Sequence, residues 1–187
     1  MNQVFAGLDE AGRGPLAGPV FAAAVILDPG LPIEGLRDSK KLSASKRMQL
    51  KGMIIARARG FGIASASVEE IDRLNILQAS LLAMRRAARL LEASVDSGSL
   101  VYWVDGNQDP GLGRPTKCMV NGDDQVPEIA AASILAKTSR DAWMLEAAVN
   151  YPGYGFERHK GYPTQDHRKA IAELGPCRIH RRSFSWK

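Results

Sequence analysis

The sequence predicts an α/β fold, with helices layered on a mixed five-stranded sheet. Three observations carry that expectation. Short β-favouring runs at 4–8, 21–27, 61–67, 100–104 and 116–120 are separated by turns and helical stretches. The first two runs are joined by a turn segment while later ones follow helices, a mixture that argues against an all-parallel sheet. Apolar residues make up 45% of the 187, enough for one ordinary domain with a core of its own.

Taken in order, the run at 4–8 is followed by Gly12-Arg13-Gly14-Pro15-Leu16-Ala17-Gly18-Pro19, whose prolines and glycines exclude a helix. The second run is apolar almost throughout, as a strand buried on both faces would be. Asp38-Ser39-Lys40-Lys41-Leu42-Ser43 reads as a loop leading into a basic helix that ends near Arg59-Gly60. Ser67 and Glu70 then make a capping box. The single helix expected after it carries Ile71, Leu74, Leu77, Leu81, Met84, Ala88 and Leu91 as a core-facing stripe. Residues 126–149 read as a helix with the small face Ala130, Ala131, Ala132, Ser133 and Ala136. Residues 151–162 read as an ordered, aromatic-rich loop. A last helix over 164–174 is stopped by Gly175-Pro176.

Composition excludes several classes. Two scattered cysteines, Cys118 and Cys177, are no disulfide framework and fit a reducing compartment. The longest apolar run is far short of a bilayer span and the first residues show no export signal, so a soluble, cytoplasmic protein with no membrane partner is expected. The net charge is +5. Residues 158–187 hold eight Lys and Arg against Asp166 and Glu173, more positive excess than the whole chain. A basic tail is either a solvated face or a surface for phosphates.

Asp9, Glu10, Asp105, Asp123 and Asp124 all fall at expected strand ends or helix entrances, where open α/β sheets bind ligands. If the first and fourth strands are parallel neighbours, Asp9 and Asp105 stand side by side. Crowded carboxylates repel unless a cation lies between them, and hard oxygen donors suit Mg²⁺ or Mn²⁺. Aspartates also serve turns and caps, so the pattern leaves both roles open. Gly12-x-Gly14-x-x-Ala17 mimics a dinucleotide fingerprint but lacks the following helix, which leaves an exposed Gly-Arg-Gly turn. The spacing of His159, His167 and His180 matches no zinc pattern, and surface or substrate-facing positions are expected for them. Tyr154, Phe156 and Tyr162, interleaved with Arg158, His159 and Lys160, suit either base stacking or core packing. Asp141, four residues after Lys137, is expected to pair with it.

Together these residues resemble the ribonuclease HII family, the type 2 ribonucleases H. The likeness rests on Gly7-Leu8-Asp9-Glu10-Ala11-Gly12-Arg13-Gly14-Pro15, Asp38-Ser39-Lys40-Lys41, Asn75-Ile76-Leu77-Gln78-Ala79, Val104-Asp105-Gly106-Asn107, Ile129 with Ala130 through Lys137, His159-Lys160-Gly161-Tyr162 and His180-Arg181-Arg182-Ser183-Phe184. It implies one RNase H-like domain over 1–187, a five-stranded mixed sheet flanked by helices, with a small basic helical part from about residue 160. It implies a monomeric, metal-dependent endonuclease using Mg²⁺ or Mn²⁺. Its substrates would be RNA–DNA hybrids and single ribonucleotides embedded in duplex DNA, cut 5′ to the ribonucleotide to leave 3′-hydroxyl and 5′-phosphate ends. By motif, Asp9, Glu10, Asp105 and Asp123 match the metal-binding carboxylates. Gly12, Arg13 and Gly14 match the turn that reads the ribose 2′-hydroxyl, and Tyr162 the tyrosine that stacks on the next sugar. Asn121 stands where many members have lysine. The alternatives are a nucleic-acid-binding protein without catalysis and another nuclease of the same fold.

Overall fold

The computed structural model describes residues 3–36, 42–96 and 98–186; positions 38–41 of the second motif lie outside them. Five strands, β1 (Val4–Ala11), β2 (Val20–Ile26), β3 (Gly60–Ala66), β4 (Leu100–Asp105) and β5 (Thr116–Met119), form one sheet in the order β3-β2-β1-β4-β5. The first three pair antiparallel, while β1–β4 and β4–β5 are parallel, so the sheet is mixed as expected.

The helices α1 (Ala44–Arg57), α2 (Val68–Leu74), α3 (Ile76–Ser94), α4 (Pro127–Asn150), α5 (Phe156–His159) and α6 (Gln165–Leu174) complete the layers. One face of the sheet buries Ala6, Leu8, Ala22 and Ala24 under α3, and the other buries Ala23 and Val25 under α1 and the alanine face of α4. Alanines and glycines on both sides let helix and sheet backbones approach closely. A third apolar cluster joins Ala17, Met144 and Ala147 to Phe156, Ala170 and Ile179. It fastens the C-terminal part onto the end of α4.

Two helical elements differ from the sequence reading. The expected single helix after Ser67 is two, broken at Asn75, whose backbone takes φ 71° and whose side chain accepts the Gln78 N–H to cap α3. The capping box is present: Ser67 accepts the Glu70 N–H and the Glu70 carboxylate accepts the Ser67 N–H. Within residues 151–162, Phe156–His159 forms the one-turn helix α5. Among the described residues no helix is long and apolar enough to cross a membrane.

Candidate active site

Sequence reasoning places Asp9 and Glu10 just beyond the first strand, but β1 continues through them to Ala11. The ladder with β2 holds it there, pairing Asp9 with Ala23, Glu10 with Ala22 and Ala11 with Phe21. Tertiary pairing overrides the low strand propensity of acidic residues. Strand alternation then sends Asp9 toward α4, with its partner Ala23, and Glu10 toward α3.

The parallel register of β1 and β4 ends at Leu8 opposite Val104, so Asp9 and Asp105 are the next residues on adjacent strands. Asp105 Oδ1 accepts the Gly122 N–H at 2.7 Å, tying β4 to the 3-10 turn Gly122–Asp124. Asn121 enters that turn in the left-handed region at φ 55°, which asparagine tolerates better than most residues. Within the turn Asp123 is fully buried and Asp124 exposed, so Asp123 is the inward member of the doublet.

Electrostatics mark this corner. Burial pushes the Asp9 carboxyl well above its ordinary range, and the nearby charges of Glu10 and Asp105 push it further. The Ser133 hydroxyl and the Glu10 N–H, at 2.7 Å, hydrogen-bond to Asp9 and act the other way. Burial also raises Glu10, against the pull of Arg13, whose Nη1 lies 3.4 Å from Glu10 Oε1. Asp9, Glu10 and Asp105 are repelling carboxylates on neighbouring strands, hard oxygen donors of the kind a divalent cation takes. Among the described residues no three His, Cys, Asp or Glu side chains already enclose a common point. Oxygen donors of this kind suit Mg²⁺ or Mn²⁺, which take one or two carboxylates and keep positions for water and phosphate.

Beside the carboxylates opens a cleft of about 290 Å³ lined by Glu10, Gly12, Arg47, Ser133, Lys137 and Tyr162. Tyr162 is 41% exposed there, and a Cβ on Gly14 would meet its ring edge at 3.8 Å. Arg13 and Gly14 are exposed, and Gly12 is buried at φ 104°. The Gly-Arg-Gly turn and Tyr162 thus share one wall, although 148 residues separate Gly14 from Tyr162. Lys137 pairs with Asp141 at 2.7 Å, as expected, and also presents its ammonium 5.8 Å from the Tyr162 ring centre. Sequence reasoning misses Arg47 and Ser133 as site residues, since one sits in a basic helix and the other in an alanine run.

The aromatics divide: Tyr154 and Phe156 are core, and only Tyr162 faces the cleft. The histidines correct the expectation of surface positions. His167 and His180 are buried, and their Nε2 atoms lie 3.1 Å apart. His167 Nδ1 lies 2.9 Å from the Tyr162 carbonyl, and its N–H donates there. His180 Nδ1 accepts the Cys177 N–H at 2.9 Å, which leaves the His180 Nε2–H to donate to His167. This arrangement needs neutral rings. Burial, followed by the nearby His167, lowers His180 to about 4. A folded-state value below the ordinary 6.5 means stability that is complete above pH 6.5 and is lost as pH falls toward 4. Hydrogen exchange within 165–186 should rise over that interval, with up to about 1.4 kcal/mol of protection lost per pH unit. Asp9 and Glu10, whose values are raised, stabilise in the opposite sense, so the strand amides should not follow. A uniform change along the chain would contradict the assignment.

Comparison with known proteins points to one family. The family model described as Ribonuclease HII matches residues 6–187. The Ribonuclease HII of Nitrosomonas europaea is 60% identical over 184 residues, covering 98% of this chain and 83% of that protein. That of Dechloromonas aromatica is 57% identical over 178 residues, covering 95% and 89%. Among solved structures, the PCNA:RNase HII complex from Archaeoglobus fulgidus superposes with a TM-score of 0.78 at 24% identity, covering 97% of this chain and 95% of that one. Bst-RNase HIII in complex with Mn²⁺ gives 0.76 at 17%, covering 98% and 68%. These last two bear on the fold, while the matches to curated relatives and to the family model extend over nearly the whole sequence. The chain belongs to the ribonuclease HII family and is a metal-dependent endoribonuclease.

Proposed function

We propose that, beyond the family's ribonuclease H activity on RNA–DNA hybrids, this enzyme cleaves at single ribonucleotides embedded in duplex DNA. The cut falls 5′ to the ribonucleotide by two-metal-ion hydrolysis and leaves 3′-hydroxyl and 5′-phosphate ends. Asp9, Glu10, Asp105 and Asp123 hold Mg²⁺ or Mn²⁺, and Gly12, Arg13 and Gly14 read the 2′-hydroxyl. Tyr162 stacks on the sugar beyond the junction. We place this work in the cytoplasm and take the monomer as the working unit.

The observation that carries the reading is the side-by-side placement of Asp9 and Asp105 on parallel strands, with Glu10 in reach and Asp123 tied in through Gly122. Divalent cations bound there would supply charge stabilisation at the scissile phosphodiester and an activated water. The protein's own part is positional. Glu10 lines the Tyr162 cleft and, with Asp105, Gly106 and Asn107, a second, smaller one, so it stands between two grooves that a duplex backbone can follow. Arg47 and Lys137 stand on the other side as phosphate partners. The 2′-hydroxyl serves recognition and is not the nucleophile. Bst-RNase HIII, a neighbour of the same fold, is solved with Mn²⁺, which supports that metal class.

A duplex with one internal ribonucleotide, offered with Mg²⁺, Mn²⁺ or EDTA, provides the test. Cleavage should require the cation and yield 3′-hydroxyl ends. Cleavage in EDTA, or products ending in a cyclic phosphate, would overturn the mechanism. Salt-sensitive binding indifferent to the ribonucleotide, with no cleavage, would favour the non-catalytic alternative.

A further inference from the structure

Two of the largest fully buried side chains in the protein are arginines, Arg140 on α4 and Arg181 after α6. Neither lies within 4 Å of a carboxylate among the described residues. Asp141 and Asp72 act on them only at longer range, and a buried cation with no carboxylate in contact is costly to keep, so its retention calls for a reason in what it touches. Both touch the same loop. Arg181 donates from Nη2 to the Gly12 carbonyl at 2.6 Å, from Nη1 to Arg13 at 2.9 Å and from Nε to Gly18 at 2.9 Å. Arg140 donates from Nη2 to Ala17 at 3.0 Å and from Nε to Pro19 at 3.1 Å.

A planar peptide points its carbonyl and the next N–H in opposite directions. Turning the Gly12 and Arg13 carbonyls inward therefore turns the Arg13 and Gly14 N–H groups outward. Among the described residues neither amide donates to a protein acceptor. The Gly18 N–H, by contrast, is used by Ile179 at 2.9 Å, and Pro19 has none. Two adjacent outward amides backed by two positive charges make a cradle for oxygen atoms of a nucleic-acid backbone. Arg140 also spans the site. A Cβ on Gly12 would lie 2.1 Å from its Nε, and its guanidinium carbon lies 5.9 Å from the centre of the Tyr162 ring. Among the described residues its buried Nη1 has no hydrogen-bond partner, which leaves an unspent donor.

We propose that Arg140 and Arg181 are positioning residues for ribonucleotide discrimination. They hold the segment from Gly12 to Pro19 so that the Arg13 and Gly14 amides face the substrate, and they fix that turn against Tyr162. The proposal rests on the reading of Gly12, Arg13 and Gly14 as the 2′-hydroxyl contact. A lysine at either position keeps the charge but cannot fork between carbonyls.

Binding in EDTA separates this role from mere folding, using a duplex with one ribonucleotide and the same duplex in all-DNA form. The wild type should prefer the ribonucleotide duplex by about tenfold, the worth of one good hydrogen bond. Arg181→Lys should bring that ratio to within about twofold of unity while leaving all-DNA binding nearly unchanged. Arg140→Lys should act the same way, and it decides the matter if Arg181→Lys does not fold. A variant that keeps the wild-type ratio, or that weakens both duplexes equally, overturns the proposal and leaves the enzyme's function as read. A wild type without any preference overturns the 2′-hydroxyl reading and the proposal with it.

Discussion

Asp105→Asn should abolish cleavage and raise the melting temperature of the metal-free protein. The two effects have one cause. Asp105 is among the charges that hold the Asp9 carboxyl above its ordinary range, after burial and Glu10. Removing that charge relieves repulsion in a buried cluster, a gain of about 1 kcal/mol without cation. The substituted side chain keeps an amide oxygen that can still accept the Gly122 N–H, so the turn carrying Asp123 stays in register. What is lost is an anionic donor to the cation, at a cost of roughly a thousandfold in turnover, about 4 kcal/mol of transition-state stabilisation. Duplex affinity in EDTA should hold or tighten, since one negative charge facing a polyanion has gone. Thermal unfolding with and without Mg²⁺, beside single-turnover cleavage, checks all three. A variant that melts lower and binds duplex poorly would mean that Asp105 is a structural group. One that still cleaves within tenfold of wild type would remove it from the metal site.

Much of this site was legible in the sequence because the strands that build it are apolar runs ending at carboxylates. The stretches at 4–8 and 100–104 read as strands, and the condition that the sequence leaves open, that they are parallel neighbours, is met by the register that sets Asp9 beside Asp105. The strand's continuation through Asp9 and Glu10 was hidden, because it comes from pairing with β2 and not from local propensity. The break at Asn75 was hidden for a different reason. Ile71 on α2 and Leu81, Met84, Ala88 and Leu91 on α3 line one core, so their spacing passes through the break undisturbed. The tail misled most. Arg181 counts toward a basic tail that is either solvated or a surface for phosphates, and His180 is expected at the surface or facing substrate, yet both are buried, one against the Gly12 turn and the other against His167. A charge count carries no information on which cations turn inward, since that depends on carbonyls more than 160 residues away.

Gly7→Ala should be the most damaging single-methyl change in the sheet. A Cβ at Gly7 would lie 2.0 Å from the Glu128 carbonyl carbon, 2.2 Å from the Ile129 nitrogen and 2.3 Å from the Glu128 oxygen. All three are backbone atoms at the start of α4, so no side chain can swing aside and the helix itself must move. Overpacking of that kind costs at least about 3 kcal/mol. It also reaches the chemistry, because α4 carries Ser133 and Lys137 to the cleft and Arg140 to the turn. A displacement of about 1 Å there would lower turnover on the order of a hundredfold even in the molecules that remain folded. Gly52→Ala is the matched control. Gly52 is exposed within α1 and a Cβ there meets nothing within 4 Å among the described residues, so alanine should stabilise the helix by about 1 kcal/mol and leave cleavage unchanged. The two methyl additions should therefore move the urea midpoint in opposite directions. Equal midpoints would show that α4 can stand away from β1 without cost, and that the tight strand–helix contact does not fix the position of the cleft.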